Sequence, residues 1–174
     1  MQPATKKTAD RSGDPEPFRR LYRDSVRKVR ATLYRLAGGS HLDDLTQEVF
    51  VRVWRALPNL REAAATPAWI YRITVNMARD AQEKAARERW NELPEEMPAV
   101  ADKTDAAVCR QLVALALQEL SFEHRTVLVL HDLEGLTEDE IARVLEIPRG
   151  TVKSRLFHAR GRARAFLEQR GIRP

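Results

Sequence analysis

Residues 136–164, LTEDEIARVLEIPRGTVKSRLFHARGRAR, decide the fold of this chain. The stretch predicts two short helices joined by a tight turn. Thr137, with Glu140 three residues later, has the spacing of a capping box and starts the first helix. Residues 146–150 must then turn the chain, because Pro148 has no amide hydrogen to donate inside a helix and keeps its predecessor out of helical dihedral angles.

Apolar residues spaced four and three apart predict the second helix, because this spacing places them on one face. They are Val152, Leu156, Ala159, Ala163 and Phe166. Every charged residue in 149–164 is basic, and no acid at helical spacing balances it. Contact with phosphate is therefore favoured over a solvated helix face. A helix-turn-helix with a basic second helix is typical of proteins that enter the DNA major groove.

The face of this helix opposite the apolar residues carries small side chains and one large aromatic. Its members are Gly150, Ser154, Phe157 and Gly161, with His158 beside them. Small residues allow a helix to approach base edges closely. Phe157 is interpreted as an apolar contact with a thymine methyl or a sugar. The alternative for Phe157 is packing against a neighbouring domain.

The composition limits the remaining function classes. The 174 residues allow one large domain or two small ones, and the net charge of +5 suits a polyanionic partner. The single cysteine, Cys109, excludes a disulfide framework and a cysteine-based zinc site. His124 and His131 lack a third ligand nearby and are interpreted as surface or capping residues. We expect no metal, no cofactor and no catalytic activity.

The chain shows no signal peptide and no long apolar run, which predicts a cytoplasmic protein without membrane contact of its own. The fold is predicted to be all-α, with two small helical domains joined by a flexible linker. The predicted segments are a disordered terminus at 1–14, a first domain at 15–92, an acidic linker at 93–104, and a second domain with the helix-turn-helix at 105–170. Predicted helices cover 17–37, 42–57, 67–90, 106–119 and 122–133, followed by the helix-turn-helix pair.

The second predicted helix, DDLTQEVFVRVWRAL, has a wide apolar side and a compact mixed patch. Its buried line is Leu45, Val49, Val53 and Ala56, widened by Phe50, Trp54 and Leu57. The opposite side holds Asp44, Gln47, Glu48, Val51 and Arg55. This patch is either a protein-docking surface or an ordinary solvated face, and the pattern alone favours the solvated face.

The third helix contains AWIYRITVNMARD and has a polar, increasingly basic side. Asn76 lies there among apolar residues, and a buried amide needs hydrogen-bond partners. The amide is either satisfied inside the protein or reads the edge of an extruded base. The short loop at 58–65 is placed to border a pocket for such a base.

Residues 17–167 resemble the extracytoplasmic-function sigma factors, the smallest class of bacterial RNA polymerase specificity subunits. Three stretches carry the resemblance: DDLTQEVFVRVWRAL, AWIYRITVNMARD and RTVLVLHDLEGLTEDEIARVLEIPRGTVKSRLFHAR. Their order and spacing are highly specific, whereas a helix-turn-helix alone occurs in many regulators. The resemblance implies a sigma region 2 domain at 15–92 and a region 4 domain at 105–170.

The resemblance also assigns roles in the first domain. Asp44, Gln47, Glu48 and Val51 are implied to dock on core RNA polymerase, which overturns the solvated-face interpretation. Thr46 stands at the edge of this patch, where a branched aliphatic residue is usual.

A second set of roles concerns the minus-10 element. Asn76 is implied to hold a flipped base, with the 58–65 loop completing the pocket. Arg72, Arg79 and Arg61 are the further predicted contacts with single-stranded minus-10 DNA.

The recognition helix, residues 149–158, is implied to lie in the major groove at the minus-35 element. Its predicted contacts are Arg149, Thr151, Lys153, Ser154, Phe157 and His158. Arg155 is predicted to contact the DNA backbone or to pack. His158 stands where arginine is common, so guanine is read differently there, because a neutral imidazole cannot make the bidentate contact of arginine.

The resemblance therefore implies a dissociable initiation factor that binds core polymerase and promoter DNA and is restrained by an anti-sigma factor. We expect the free factor to bind promoters poorly, and the acidic linker to compete with phosphate for its basic surfaces. The alternative is an autonomous helix-turn-helix regulator, which needs a dimerisation helix and usually a ligand or phosphoacceptor domain. A third class, an inactive protein-interaction decoy, would be favoured by loss of basic residues from the recognition helix, whereas this chain has them.

Overall fold

The computed structural model describes residues 15–57, 67–89 and 105–172. In these ranges the chain forms seven α-helices and one π-helix and contains no strand. In chain order they are α1 (Pro15–Ala37), α2 (Leu42–Ala56), α3 (Pro67–Arg89), α4 (Asp105–Gln118), α5 (Phe122–Leu128), the π-helix (Val129–Leu133), α6 (Glu138–Leu145) and α7 (Arg149–Glu168). The predicted all-α fold is confirmed.

Three predicted segments lie outside the described residues. They are the terminus at 1–14, the loop at 58–65 with its predicted minus-10 residue Arg61, and the acidic linker at 93–104. Among the described residues, no helix is both long enough and apolar enough to cross a membrane.

The first three helices pack against one another around an aliphatic core. Its most buried members are Val29, Leu33, Leu36, Val49, Val53 and Val75. The chain leaves α1 at Gly38. Gly38 has a φ of 90°, and its amide donates to the carbonyl oxygen of Tyr34 at 2.9 Å. Glycine reaches this left-handed conformation without steric cost, which is why it ends helices.

Two residues of α2 differ from their predicted positions. Trp54, predicted to widen the core, is 42% exposed, and Phe18 of α1 packs edge-on against it at 4.9 Å between ring centroids. Thr46, predicted at the edge of the docking patch, is buried, and its hydroxyl donates to the carbonyl oxygen of Leu42 at 2.7 Å. Thr46 lies three residues before Val49 on the core face, so helical periodicity turns it inward.

The last four α-helices form a second unit in which α4, α5 and α6 all pack on α7. Ser121 caps α5 by accepting from the amide of His124 at 3.4 Å. The predicted helix at 122–133 is instead two elements, because it widens into a π-helix after Leu128. The amide of Glu134 bonds five residues back to Val129 at 3.0 Å, which is the wider turn of a π-helix.

The helix-turn-helix begins as predicted, but its turn is shorter than the predicted one. Thr137 and Glu140 exchange both hydrogen bonds of a capping box. These bonds lower the pKa of the Glu140 carboxyl, and the bond from the Thr137 backbone amide has the largest effect. The turn ends at Pro148, the cap of α7, and does not extend to Gly150 as predicted. Proline is tolerated at this position because the N-cap residue donates no amide hydrogen bond within the helix.

The two units are in contact through α3 with α6, and through α1 with α5 and the π-helix. Glu134 lies at the centre of this junction, with its side chain 5% exposed. Arg35 donates to it at 2.7 Å and the Tyr71 hydroxyl donates at 2.9 Å. Burial, together with the bond to Glu134, raises the pKa of the Tyr71 phenol well above its usual range.

Candidate DNA-binding and protein-docking surfaces

The recognition helix α7 separates an apolar side from a polar side as its spacing predicts. Val152, Leu156 and Ala159 are buried against the rest of the second unit. The outward residues Lys153, Ser154, Phe157, His158 and Gly161 are exposed. A broad, solvent-facing surface with small residues around one aromatic is therefore available along α7.

Phe157 is the most exposed large apolar side chain among the described residues, at 76%. This exposure rules out the alternative that Phe157 packs against a neighbouring domain within the described ranges. Its ring lies 5.5 Å from the His158 ring, in an edge-on arrangement. A large aromatic side chain is normally buried, so its exposure on a basic helix supports a role in contacting a ligand.

Two basic residues of α7 are paired with acids, although no acid stands at helical spacing from either of them within α7 itself. Arg149 pairs with Glu138 at 3.0 Å, and Arg160 pairs with Asp132 through its Nε at 3.1 Å. Hydrogen bonding from Arg160 is the main cause that lowers the pKa of Asp132. Both acids come from other elements, so helical spacing within α7 could not reveal them.

The remaining basic residues of α7 keep their charge uncompensated. Lys153, Arg155, Arg162 and Arg164 have no ion-pair partner within the ranges 15–57, 67–89 and 105–172. Arg155 is half-buried, whereas the other three are exposed. This group provides a positive surface beside Phe157, which suits a polyanion.

His124 joins the recognition surface, which no pattern in the sequence predicts. Its ring centroid lies 6.3 Å from that of His158, and its Nδ1 lies 2.9 Å from the Ser121 hydroxyl. Burial, followed by the nearby charges of Arg162 and His158, lowers the pKa of the His124 imidazole. Burial and the nearby positive charges of α7 both favour the neutral form of this imidazole.

His131 is held in a different network, with its Nδ1 2.6 Å from Asp132 Oδ1 and 3.1 Å from Arg160 Nη2. Among the described residues, no group of three or more histidines, cysteines and acids is placed to hold a metal ion.

On α2 the predicted patch is brought together on one face. Asp44 and Gln47 are exposed, while the Glu48 carboxylate is 45% exposed and accepts from Arg52 at 3.2 Å. Val51, predicted as an exposed valine, is only partly exposed. The result is a small acidic and amide-bearing surface at the start of the helix.

A groove of about 520 Å³ between α1 and α2 continues this patch. Its apolar wall is aromatic: Phe18, Tyr22, Phe50 and Trp54. Gln47 and Val51 line the same groove, so the patch and the groove form one surface. An exposed apolar groove beside acidic residues is typical of a protein-docking site. The periodicity of α2 did not predict this groove, because the pattern placed Trp54 in the core.

On α3, Asn76 is exposed. Since its amide faces solvent, the alternative that it is satisfied inside the protein does not hold. Arg72 and Arg79 lie four residues before it and three after it, so the three side chains share one helix face. This face is polar, basic and directed away from the buried residues Ile70 and Met77.

Family models match both units of the chain. Sigma-70 region 2 matches residues 21–88 and Sigma-70 region 4 matches residues 110–162. The ECF RNA polymerase sigma factor SigE of Mycolicibacterium smegmatis is 34% identical over 169 residues, covering 92% of this chain and 65% of the relative. The chain thus spans just under two thirds of that relative. The ECF RNA polymerase sigma-E factor of Escherichia coli K12 is 29% identical over 162 residues, with 85% of each covered.

Two solved structures share the fold over most of the chain. CnrH, solved in complex with the cytosolic domain of CnrY, is 26% identical, has a TM-score of 0.69, and the match covers 91% of this chain and 92% of CnrH. The sigma factor RpoE from Bartonella quintana, solved with the anti-sigma factor NepR, is 23% identical, has a TM-score of 0.72, and the match covers 88% of this chain and 98% of RpoE. The fold and its surfaces therefore define a two-unit helix-turn-helix protein. The chain belongs to the extracytoplasmic-function sigma factors of the sigma-70 family.

Proposed function

We propose that this chain is a dissociable specificity subunit of bacterial RNA polymerase that directs promoter-specific initiation. The observation that carries the proposal is the pairing, in one chain, of an acidic docking surface on α2 with a basic reading surface on α7. A protein that only regulates through DNA needs the second surface and has no use for the first. The family models of Sigma-70 region 2 and Sigma-70 region 4 match this chain in that order.

We assign residues 15–92 to region 2, 93–104 to the linker and 105–170 to region 4. In region 2, Asp44, Gln47, Glu48 and Val51 dock on the core enzyme. The aromatic groove that continues from Gln47 and Val51 extends this docking surface, because desolvated aromatic side chains contribute strongly to protein interfaces.

Region 4 anchors the complex at the minus-35 duplex through α7. Lys153, Ser154, Phe157 and His158 face the base edges, with Arg149 and Thr151 at the start of the helix. Phosphate contacts from the uncompensated basic residues set the position of the helix, and the outward residues read the bases. When Arg149 binds DNA it gives up its ion pair with Glu138, so its net contribution to the affinity for DNA is small.

Region 2 captures the non-template strand of the minus-10 element as single-stranded DNA. Asn76 offers an amide to a base edge, and Arg72 and Arg79 contact the backbone. Unstacking costs a few kcal/mol per step, which capture of the base and of the phosphates offsets. Strand opening therefore needs binding energy and no covalent chemistry. Sigma factors are initiation factors without enzymatic activity of their own, and we assign none to this chain.

An anti-sigma factor is the expected regulator. Both structural neighbours were solved with a protein partner, which for RpoE is the anti-sigma factor NepR. We propose a partner of this kind here, acting in the cytoplasm, where polymerase and DNA are found.

Transcription in vitro tests this function. Core polymerase would be mixed with the full chain and fragmented genomic DNA of the source organism, and the transcript 5′ ends sequenced. We expect new start sites that appear only with the chain and share a two-part upstream motif. Identical start sites with and without the chain would contradict the proposal. Site-specific DNA binding by the chain alone, with no effect on core, would favour the autonomous regulator.

A further inference from the structure

Three aromatic rings form a row on the side of α7 that is assigned to the minus-35 duplex. The Phe157 and His158 rings lie edge-on at 5.5 Å between centroids, and the His124 ring lies 6.3 Å from that of His158. Phe157 and His158 belong to α7, whereas His124 belongs to α5. The reading surface therefore continues beyond the recognition helix onto a second element.

Ser121 determines which nitrogen of the His124 ring is free to bind a ligand. The Ser121 hydroxyl oxygen lies 2.9 Å from Nδ1 of the ring and also accepts from the backbone amide of His124. Nε2, on the far side of the ring, has no hydrogen-bond partner in residues 15–57, 67–89 and 105–172. The His124 side chain is partly exposed. A ring that is held at one nitrogen and open at the other is placed to donate a hydrogen bond to an external group.

The surroundings of the His124 ring favour an anion as that external group. The permanent positive charges that act on it are Arg155 and Arg162 of α7, which have no ion-pair partner within the described ranges. His158 of α7 can add a further positive charge, and α5 offers one acid, Glu123. Positive charge therefore exceeds negative charge around the ring. A backbone phosphate is the anion that duplex DNA presents beside the bases that α7 reads.

From this arrangement we infer that His124 is a further minus-35 contact, supplied from outside the recognition helix, and that its ring binds a backbone phosphate as an imidazolium. The ring takes up one proton from solvent when the complex forms. Nε2 then donates to a phosphate oxygen, and Nδ1 donates to the Ser121 hydroxyl. This inference rests on the proposed function of α7. It goes beyond that function by adding a contact from α5 and by making the affinity for the minus-35 element depend on pH.

The direction of this pH dependence follows from the charges before and after binding. In the free chain, burial and then the charges of Arg162, His158 and Arg155 hold the pKa of the His124 imidazole below its ordinary value. A phosphate in contact with the ring favours the charged form and raises this pKa in the complex. Between the two pKa values, the complex holds more protons than the free factor and the free DNA together. The affinity for the minus-35 duplex is therefore highest below the lower pKa and declines as the pH rises through the interval between them.

A pH series tests the inference in the full complex. Core polymerase with the wild-type chain would be titrated onto a duplex that carries the minus-35 element and ends before the minus-10 element. The series runs from about pH 5.5 to about pH 8.5, which spans the ordinary histidine pKa. A rise of one pKa unit on binding makes the affinity about tenfold higher at the acidic end than at the alkaline end. We expect a change of about this size, and an affinity that is the same at every pH would overturn the inference.

A His124→Gln variant identifies the group that titrates. Glutamine keeps the backbone amide that Ser121 caps and cannot take up a proton, so we expect the fold to be retained and the pH dependence to be lost. The variant should match the wild-type chain at about pH 8.5 and bind about tenfold more weakly at about pH 5.5. A His124→Gln variant with the wild-type pH profile would overturn the inference. If His158→Gln alone lost the profile, the proton would belong to His158 and the inference would be equally wrong.

The matched control is His131→Gln, which removes another histidine of the same unit. His131 lies in the separate network with Asp132 and Arg160, so this variant should keep the pH profile. Equal losses in His131→Gln and His124→Gln would show that the profile does not report on the phosphate contact of His124, which would overturn the inference.

The salt dependence gives a second measurement of the same contact. At about pH 5.5 the wild-type slope of log affinity against log salt should exceed the slope at about pH 8.5 by about one, since one more phosphate is then neutralised. If His124→Gln does not fold, this wild-type comparison still decides, and equal slopes at both pH values would contradict the contact. Transcript start sites at one fixed pH report on the proposed function alone, so its failure is distinguishable from failure of the His124 contact.

Discussion

An Asp44→Ala/Glu48→Ala double variant is expected to lose most of its core-dependent transcription while keeping its fold. Both side chains are substantially exposed, so neither supports the core of region 2. Truncating charged partners at a protein interface typically costs 2–5 kcal/mol. A loss of about 2 kcal/mol lowers the affinity for core polymerase about 30-fold. The measurement is the affinity for core by fluorescence titration, together with run-off transcription at limiting factor.

The control for this variant is Asp24→Ala/Glu83→Ala, which removes two exposed acids of the same domain outside the patch and its groove. The control should bind core as the wild-type chain does. Equal losses in both variants would show that overall charge, and not the patch on α2, governs docking.

A Lys153→Ala/Phe157→Ala variant is the second large effect that we expect. Each good base contact contributes about 1–3 kcal/mol of discrimination, so the complex should lose about tenfold or more in its preference for an intact minus-35 element. Loss of a phosphate contact by Lys153 should also reduce the slope of log affinity against log salt by about one. The measurement compares the polymerase complex on duplexes with an intact and a scrambled minus-35 element over a salt series.

The single variant Phe157→Ala separates base reading from phosphate contact. Phe157→Ala should lower discrimination and leave the salt slope unchanged, because phenylalanine carries no charge. Gln169→Ala, exposed just beyond the end of the same helix, should alter neither quantity. A Phe157→Ala variant with full discrimination would remove Phe157 from the reading surface.

The local parts of the fold were accessible from the sequence because their causes are local. The Thr137/Glu140 capping box, the Ser121 cap and the Gly38 helix end each depend on residues within a few positions. The apolar face of α7 followed for the same reason, since 3.6-residue periodicity determines which side chains share a face. The π-helix at Val129–Leu133 was not accessible, because its residues form an ordinary helical pattern and the wider turn depends on packing.

The site was predicted only where one element carries it. The outward face of α7 and the acidic patch of α2 are each one helix face, although it was the resemblance that favoured docking for the patch. The ion-pair partners of Arg149 and Arg160 come from other elements, so no pattern within α7 could predict them. The exposure of Trp54 and the Glu134 junction likewise depend on how helices pack. Tertiary contacts of this kind leave no periodic signal in one sequence.

The most direct measurement of the central claim is strand opening at a minus-10 element. A promoter found by transcript mapping would carry 2-aminopurine at the base assigned to Asn76. Its fluorescence would be recorded with the chain alone, with core alone and with both. We predict a rise only when both are present, and loss of most of that rise with Asn76→Ala. A full rise with either component alone, or no rise with both, would contradict the account.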